Sequence, residues 1–152
     1  MKRMIAMAAC LVMPAVALAQ MPPPSQGPSL DRAQEAAKAA IAACEGIPVA
    51  VAVLDETTFP KLLLVGDGTS NLMADFARRK AATALRFGKP SAEVRDAAMD
   101  NAELAAQLRN DPALIGFGGG LLVKNGAVAV AGAPSQDTDV RCAMAAKAIL
   151  DR

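Results

Sequence analysis

The sequence predicts a single α+β domain, in which an antiparallel sheet of about four to five strands is covered by helices. Two observations support this prediction. Two pairs of short apolar strands are each joined by a turn, and helical periodicity precedes, separates and follows these pairs. The predicted order is helix, hairpin, helix, helix, hairpin, helix. Since the strands come in adjacent pairs and do not alternate singly with helices, parallel βαβ units are not expected.

The first nineteen residues are typical of a signal peptide. Lys2 and Arg3 give a positive start, residues 4–16 are almost wholly apolar, and Ala17-Leu18-Ala19 is a small-x-small cleavage site. Residues 1–19 are therefore excluded from the predicted domain.

Residues 20–29 form a Pro-rich polar linker, and residues 30–152 form the domain. A chain exported in this way is expected in the periplasm or secreted, and free of the membrane after signal cleavage. The alternatives are a retained N-terminal anchor helix and a lipid attached to Cys10.

The first half of the domain predicts a helix followed by a hairpin. Between Leu30 and Cys44 apolar residues recur at three- and four-residue spacing, and Gly46 stands where a C-cap glycine is expected. Residues 49–54 are rich in β-branched side chains and predict a strand, with residues 61–65 as its partner.

Two helical stretches come next. Thr69 or Ser70 is expected to cap a helix that ends near Phe87, and Ser91 to cap a further stretch that reaches Arg109. Asp100-Asn101 is a potential break within this second stretch.

The last third of the chain predicts a hairpin and a closing helix. Asn125-Gly126 is a strong signal for a two-residue hairpin turn, with residues 121–124 and 127–131 as its strands. In the closing helix, Cys142, Ala146 and Ile149 share one face.

The composition excludes several function classes. The chain has no His, Trp or Tyr, which removes the side chain most used for acid/base catalysis and zinc binding, and the usual proximal haem ligand. Its 16 basic and 15 acidic residues form no basic patch interleaved with aromatics, so nucleic acid is not an expected partner. We expect neither catalytic residues nor a metal site.

The glycine run over residues 116–120 could bind an anion through its backbone N–H groups. However, no Lys-Ser/Thr pair follows it, and a strand follows where a nucleotide-binding loop needs a helix. A structural bend or a close backbone approach is the favoured interpretation. Gly119 and Gly120 are retained as candidate ligand-binding residues.

Three charged residues are further candidates for a binding pocket. Lys80 stands in an otherwise apolar helical row, between Ala77 and Ala84. Its side chain either snorkels at the edge of the core or pairs with a ligand carboxylate. Asp55 and Asp67 each follow a predicted strand; both are turn residues in the first interpretation and pocket residues in the second.

Cys44 and Cys142 lie on the buried faces of the first and last predicted helices. An exported chain with two cysteines after signal cleavage fits a disulfide, which would place the terminal helices side by side on one face of the sheet. Two buried free thiols are the alternative. Catalysis by Cys142 is disfavoured because no histidine could act as its base.

Five segments of the domain form an ordered set: VAVAVLD (49–55), GDGT (66–69), RKAATALRFGKPS (79–91), GGGL (118–121) and GAVAVAGAPSQDTDVRCAMAA (126–146). This set resembles the GlcG/HbpS-like family of haem-binding or haem-degrading domains, also found as the C-terminal part of PduO-type proteins. The resemblance implies a profilin-like fold, homo-oligomers, and haem or another tetrapyrrole as ligand. Because histidine is absent, Met73, Met99, Met144 or Lys80 would supply an iron ligand, or the macrocycle would be held without a strong one.

We therefore expect an exported, non-catalytic domain that binds a small molecule, with haem or another tetrapyrrole as the family-implied ligand. The candidate ligand-binding residues are Lys80, Asp67, Asp55, Gly119 and Gly120. One alternative is a structural module whose oligomer interface is its function, since 53% of the residues are hydrophobic. The other is an enzyme acting on haem or a small hydroxy acid, with Lys80 and Asp67 as its polar centre.

Overall fold

A four-stranded antiparallel sheet lies between two layers of helices in the computed structural model, which describes residue 24 and residues 26–152. The predicted signal peptide lies outside the described residues, as do residues 20–23 and 25 of the predicted linker. The elements are, in chain order, α1 (Leu30–Ala43), β1 (Ala50–Asp55), β2 (Pro60–Val65), α2 (Asn71–Phe87), α3 (Ser91–Met99), α4 (Ala102–Asn110), β3 (Gly120–Val123), β4 (Gly126–Ala131) and α5 (Gln136–Leu150).

The strand order in the sheet is β2-β1-β4-β3, with every neighbouring pair antiparallel. Each predicted hairpin is present, and the two hairpins join through β1 and β4, where Ala50 lies opposite Ala131 and Asp55 opposite Gly126. The predicted α+β class is confirmed. The stretch expected between Ser91 and Arg109 consists of two helices, separated at the predicted break.

Alternating valine and alanine in the two central strands decides what each face of the sheet packs against. The valines of β1 and β4 belong to the core under α1 and α5, whereas the alanines of the same strands contact the layer that contains α2. Successive side chains of a strand point to opposite faces, so this alternation creates one bulky and one shallow face. The shallow face lets α2 lie close to the sheet.

The terminal helices α1 and α5 pack against each other on the valine face. Small side chains at their contact, among them Ala37 and Ala146, are fully buried. Cys44 and Cys142 are joined by a disulfide, with their Cα atoms 5.5 Å apart. Both the predicted disulfide and the side-by-side placement of the two helices are confirmed.

The sequence predicts that Ser91 caps the helical stretch that begins with α3, and this prediction is wrong. Pro90 is the residue that precedes the helix, and Ser91 is its first residue. The buried Ser91 hydroxyl donates to the carbonyl oxygen of Phe117 (2.6 Å) and accepts from the N–H of Gly120 (2.9 Å). These two hydrogen bonds connect α3 to the glycine run. They satisfy backbone polar groups of that run, which would otherwise be buried without partners.

Gly119 is expected to tolerate alanine less well than Gly46 does. Both have positive φ, +117° and +82°, and alanine there costs about 1–2 kcal/mol in backbone strain. A Cβ on Gly119 would also lie 2.6 Å from the carbonyl oxygen of Val130, whereas one on Gly46 meets nothing within 4 Å. In urea denaturation, Gly119→Ala should therefore lower the free energy of unfolding by about 1–3 kcal/mol more than Gly46→Ala does. Equal costs would mean that the close approach is absent.

Candidate functional site

A cleft of about 230 Å³ lies between α2 and the N-terminal end of α5. Apolar side chains from α2 and from the loop before β3 line it, together with residues 131–136, which connect β4 to α5. Two charged side chains, Lys80 and Asp139, line its buried end. The cleft therefore combines aromatic and thioether walls with a charged pair, the composition expected of a small-molecule site.

Lys80 and Asp139 form a buried ion pair. The side chains are 3% and 5% exposed, and the Lys80 Nζ donates to Asp139 Oδ2 at 2.7 Å and to the carbonyl oxygen of Val130 at 3.1 Å. The other carboxylate oxygen of Asp139 accepts from the N–H of Ala133 at 3.0 Å. The pair thus connects α2, β4 and α5.

Burial lowers the pKa of the Lys80 ammonium below its ordinary value of 10.5, because a charged group loses hydration. The hydrogen bond and the negative charge of Asp139 act in the opposite direction. Of the two interpretations of Lys80, snorkelling at the core edge is not what the structure shows, since the ammonium itself is buried.

Gly119 and Gly120 lie against Lys80. A Cβ on Gly119 would be 3.3 Å from Lys80 Nζ, and a Cβ on Gly120 would overlap the backbone carbonyl of Lys80. The glycine run therefore allows the close backbone approach that its sequence indicated, but Gly119 and Gly120 do not themselves line the cleft.

Asp55 and Asp67 lie outside the cleft. Asp55 is a turn residue, whose Oδ1 accepts from the N–H groups of Thr57 and Phe59, each at 2.9 Å. Asp55 pairs with Gly126 at the start of β4, whereas Lys80 contacts Val130 near the end of that strand. Asp67 is exposed in the turn between β2 and α2. The shared pocket expected for these carboxylates with Lys80 is not seen, because the two residues lie in separate turns outside the cleft.

Two phenylalanines form the aromatic wall of the cleft. The rings of Phe76 and Phe117 meet edge to face, with centroids 6.1 Å apart at 70°. The Arg79 guanidinium carbon lies 5.9 Å from the centre of the Phe76 ring, and Arg79 also donates to the carbonyl oxygen of Leu114 at 2.7 Å. These contacts hold the segment before β3 against α2 and fix the position of Phe117.

Sequence reasoning missed Asp139 and Gln136 as site residues. Gln136 accepts from the N–H of Gly118 and from Arg95, each at 2.6 Å. An acidic residue in a first helical turn is already accounted for by the helix dipole, so nothing local pointed from Asp139 to Lys80. A lysine in an apolar helical row was the only signal that a buried partner had to exist.

A wider groove of about 580 Å³ lies between the end of α2 and α4. Its charged lining residues, Arg86, Glu103 and Asp111, are exposed and form no ion pair with one another among the described residues. None of the predicted site residues lines it.

Within residues 26–152 no helix is long and apolar enough to cross a membrane. The same part of the chain contains no cluster of three or more Cys, Asp or Glu side chains that could hold a metal ion.

The sheet, its two helical layers and the cleft define a small α+β domain with a partly apolar cleft on one side of the sheet. The family described as "Haem degrading protein HbpS-like" matches residues 29–148. The chain belongs to this family, and the resemblance seen in the sequence is confirmed.

Solved structures of the same fold include a crystal structure of HbpS, 33% identical, which matches 86% of this chain and 94% of its own with a TM-score of 0.76. A double mutant of HbpS from Streptomyces reticuli is 32% identical over 97% of this chain and 100% of its own, with a TM-score of 0.73. A PduOC:heme complex shares the fold at 21% identity and a TM-score of 0.71, covering 81% of this chain and 94% of its own. No curated protein matches the chain significantly.

Proposed function

We propose that this chain is an exported, non-catalytic domain that binds haem or another tetrapyrrole at the cleft beside Lys80. The observation that carries the proposal is the cleft itself, where two phenylalanine rings and the thioether of Met73 surround a buried charged pair. Membership of a family described by haem, and the haem complex of the structural neighbour PduOC, support the choice of ligand.

The donor set fits a haem that is held without a strong protein ligand. Met73 lines the cleft, whereas Met99 and Met144 are 74% and 56% exposed and do not line it. Lys80 is bonded to Asp139. A bound haem would supply a redox-active iron, for which the Met73 thioether is the available soft ligand.

The cleft is smaller than the about 300–1,000 Å³ of most sites that enclose a ligand. A tetrapyrrole would therefore enter it by one edge, and the cleft would enclose only part of the ring. Phe117, which is 42% exposed, and its partner Phe76 would contact the ring.

Haemin titrated into the protein at micromolar concentration should produce a saturable shift of the Soret band. Met73→Leu is expected to change the position of the shifted band, because it replaces the thioether without removing apolar volume. Met144→Leu is the matched control, since Met144 lies on α5 outside the cleft. The absence of any saturable shift in the unaltered protein would exclude a tetrapyrrole as the ligand.

The competing function is haem degradation, which the family description favours. The chain has no histidine or tyrosine to move protons, so we expect the Soret band of the complex to persist under ascorbate and oxygen. Progressive loss of that band with release of iron, faster than for free haemin under the same conditions with catalase present, would overturn the non-catalytic assignment.

We also propose that copies of the chain associate. β2 is an edge strand of the sheet, and its Leu63 and Val65 side chains are 43% and 40% exposed. Unpaired edge strands with apolar side chains favour pairing with another chain. Light scattering that shows a monodisperse monomer would remove this proposal.

A further inference from the structure

The Lys80 ammonium retains a hydrogen-bond donor at the buried end of the cleft. A lysine ammonium has three N–H groups. Within the described residues its acceptors are Asp139 Oδ2 and the carbonyl oxygen of Val130. One N–H is therefore left for a ligand, on a side chain that is 3% exposed and lines the cleft. An unused donor at such a position favours an oxygen acceptor.

The N-terminal end of α5 adds backbone N–H donors to the cleft, and the carboxylates of Asp137 and Asp139 in its first turn partly offset the positive potential of this helix end. Ser135, the residue that caps this helix, and Gln136, its first residue, both line the cleft. The Ser135 side chain accepts from the N–H of Thr138. The N–H groups of residues 136 and 137 have no acceptor among residues 26–152, and the N-terminal end of a helix favours negative charge.

The size and walls of the cleft select the shape of the ligand group. A volume of about 230 Å³ can hold a short chain but is too small to enclose a whole macrocycle. Phe76 and Phe117 offer apolar contact to methylene groups, while Lys80 lies at the buried end of the cleft. A short alkyl arm that ends in a carboxylate fits this arrangement, since its methylene groups would contact the apolar walls and its carboxylate would reach the Lys80 ammonium.

We propose that the cleft is a carboxylate subsite, which takes a propionate-type arm of the tetrapyrrole and binds its carboxylate through the free N–H of Lys80. This inference rests on the proposed function for the source of the arm. Asp139 limits the strength of the contact, because its own carboxylate already shares the Lys80 charge at 2.7 Å. A free short-chain acid carries the same chemistry and is the alternative source.

The test compares haemin with haemin dimethyl ester, which has no free carboxylate. The unaltered protein should bind haemin about tenfold or more tightly than the ester, the range of one charge-assisted hydrogen bond. The paired variant Lys80→Met with Asp139→Leu should lose this preference and bind the ester within about twofold of the unaltered protein. Lys38→Met, a charge removed from the exposed face of α1, should keep the preference.

Asp139→Asn gives a signature that a purely structural ion pair would not. Removing the competing carboxylate leaves the Lys80 charge to the ligand, so the preference for haemin over the ester should rise while the free energy of unfolding falls. Butyrate, tested alone by the amide chemical shifts of residues 131–133 and 135–137, represents the free acid.

Each outcome is decisive. A preference for haemin that disappears in the paired variant supports the carboxylate subsite. Equal binding of haemin and ester overturns the subsite and leaves tetrapyrrole binding in place. Saturable butyrate binding without haemin binding overturns the proposed function but supports the subsite for a free acid. Binding of neither compound overturns both.

Discussion

Lys80→Met is expected to lower the free energy of unfolding by about 3–5 kcal/mol, because it leaves the Asp139 carboxylate buried without its cationic partner. The two side chains are 3% and 5% exposed and 2.7 Å apart, so solvent cannot compensate the remaining charge. The loss should also loosen the contact between α2 and α5, which the pair connects. Urea denaturation followed by far-ultraviolet circular dichroism at neutral pH measures the effect.

Two further variants isolate the cause. The paired variant Lys80→Met with Asp139→Leu removes both charges and should recover most of the lost stability, since a buried ion pair contributes little more than an apolar pair of similar volume. Lys147→Met removes a half-exposed partner of Asp151 and should change stability by about 1 kcal/mol or less. A Lys80→Met protein as stable as Lys147→Met would show that the buried pair does not form.

Replacement of both Cys44 and Cys142 by alanine is expected to lower the free energy of unfolding by about 4–5 kcal/mol. The disulfide joins residues 98 positions apart, and closing so long a loop removes much of the entropy of the unfolded chain. The bond links the end of α1 to α5, the two helices that cover the valine face of the sheet. Unfolding of the double variant and of the unaltered protein, each with and without dithiothreitol, measures the contribution.

The reductant supplies the internal control. Dithiothreitol should lower the free energy of unfolding of the unaltered protein by about as much as the double substitution does. It should not change the free energy of unfolding of the double variant. Thiol titration in denaturant without reductant should detect no free thiol in the oxidised domain. Two titrating thiols would contradict the disulfide while leaving the packing of the helices intact.

Most of the fold could be predicted because its signals are local. Residues 49–54 and 127–131 alternate valine with alanine, and Asn125-Gly126 defines the second hairpin. The alternation predicts the two strands. Residues 50–54 and 127–131 contain no polar side chain, so burial of these strands on both faces is expected as well. The disulfide was predictable for a related reason, since each cysteine lies on a buried helical face.

The site was less predictable, because its contacts join distant parts of the chain. Asp139 lies 59 residues from Lys80, and its place in a first helical turn concealed its role. Asp55 had an equally good local signal for a pocket, yet its carboxylate is used by the N–H groups of the following turn. Local patterns identify which residues need a partner, whereas the tertiary structure decides which partner each one finds.

The most direct test of tetrapyrrole binding at this cleft is the paramagnetic effect of the bound iron on amide signals. Spectra of the ¹⁵N-labelled protein would be recorded with haemin and with the diamagnetic zinc analogue. Haemin is expected to broaden selectively the amide signals of residues 117–119, 131–133 and 135–137, around the cleft. Broadening centred on the groove between α2 and α4, at residues 103–114, would contradict this expectation.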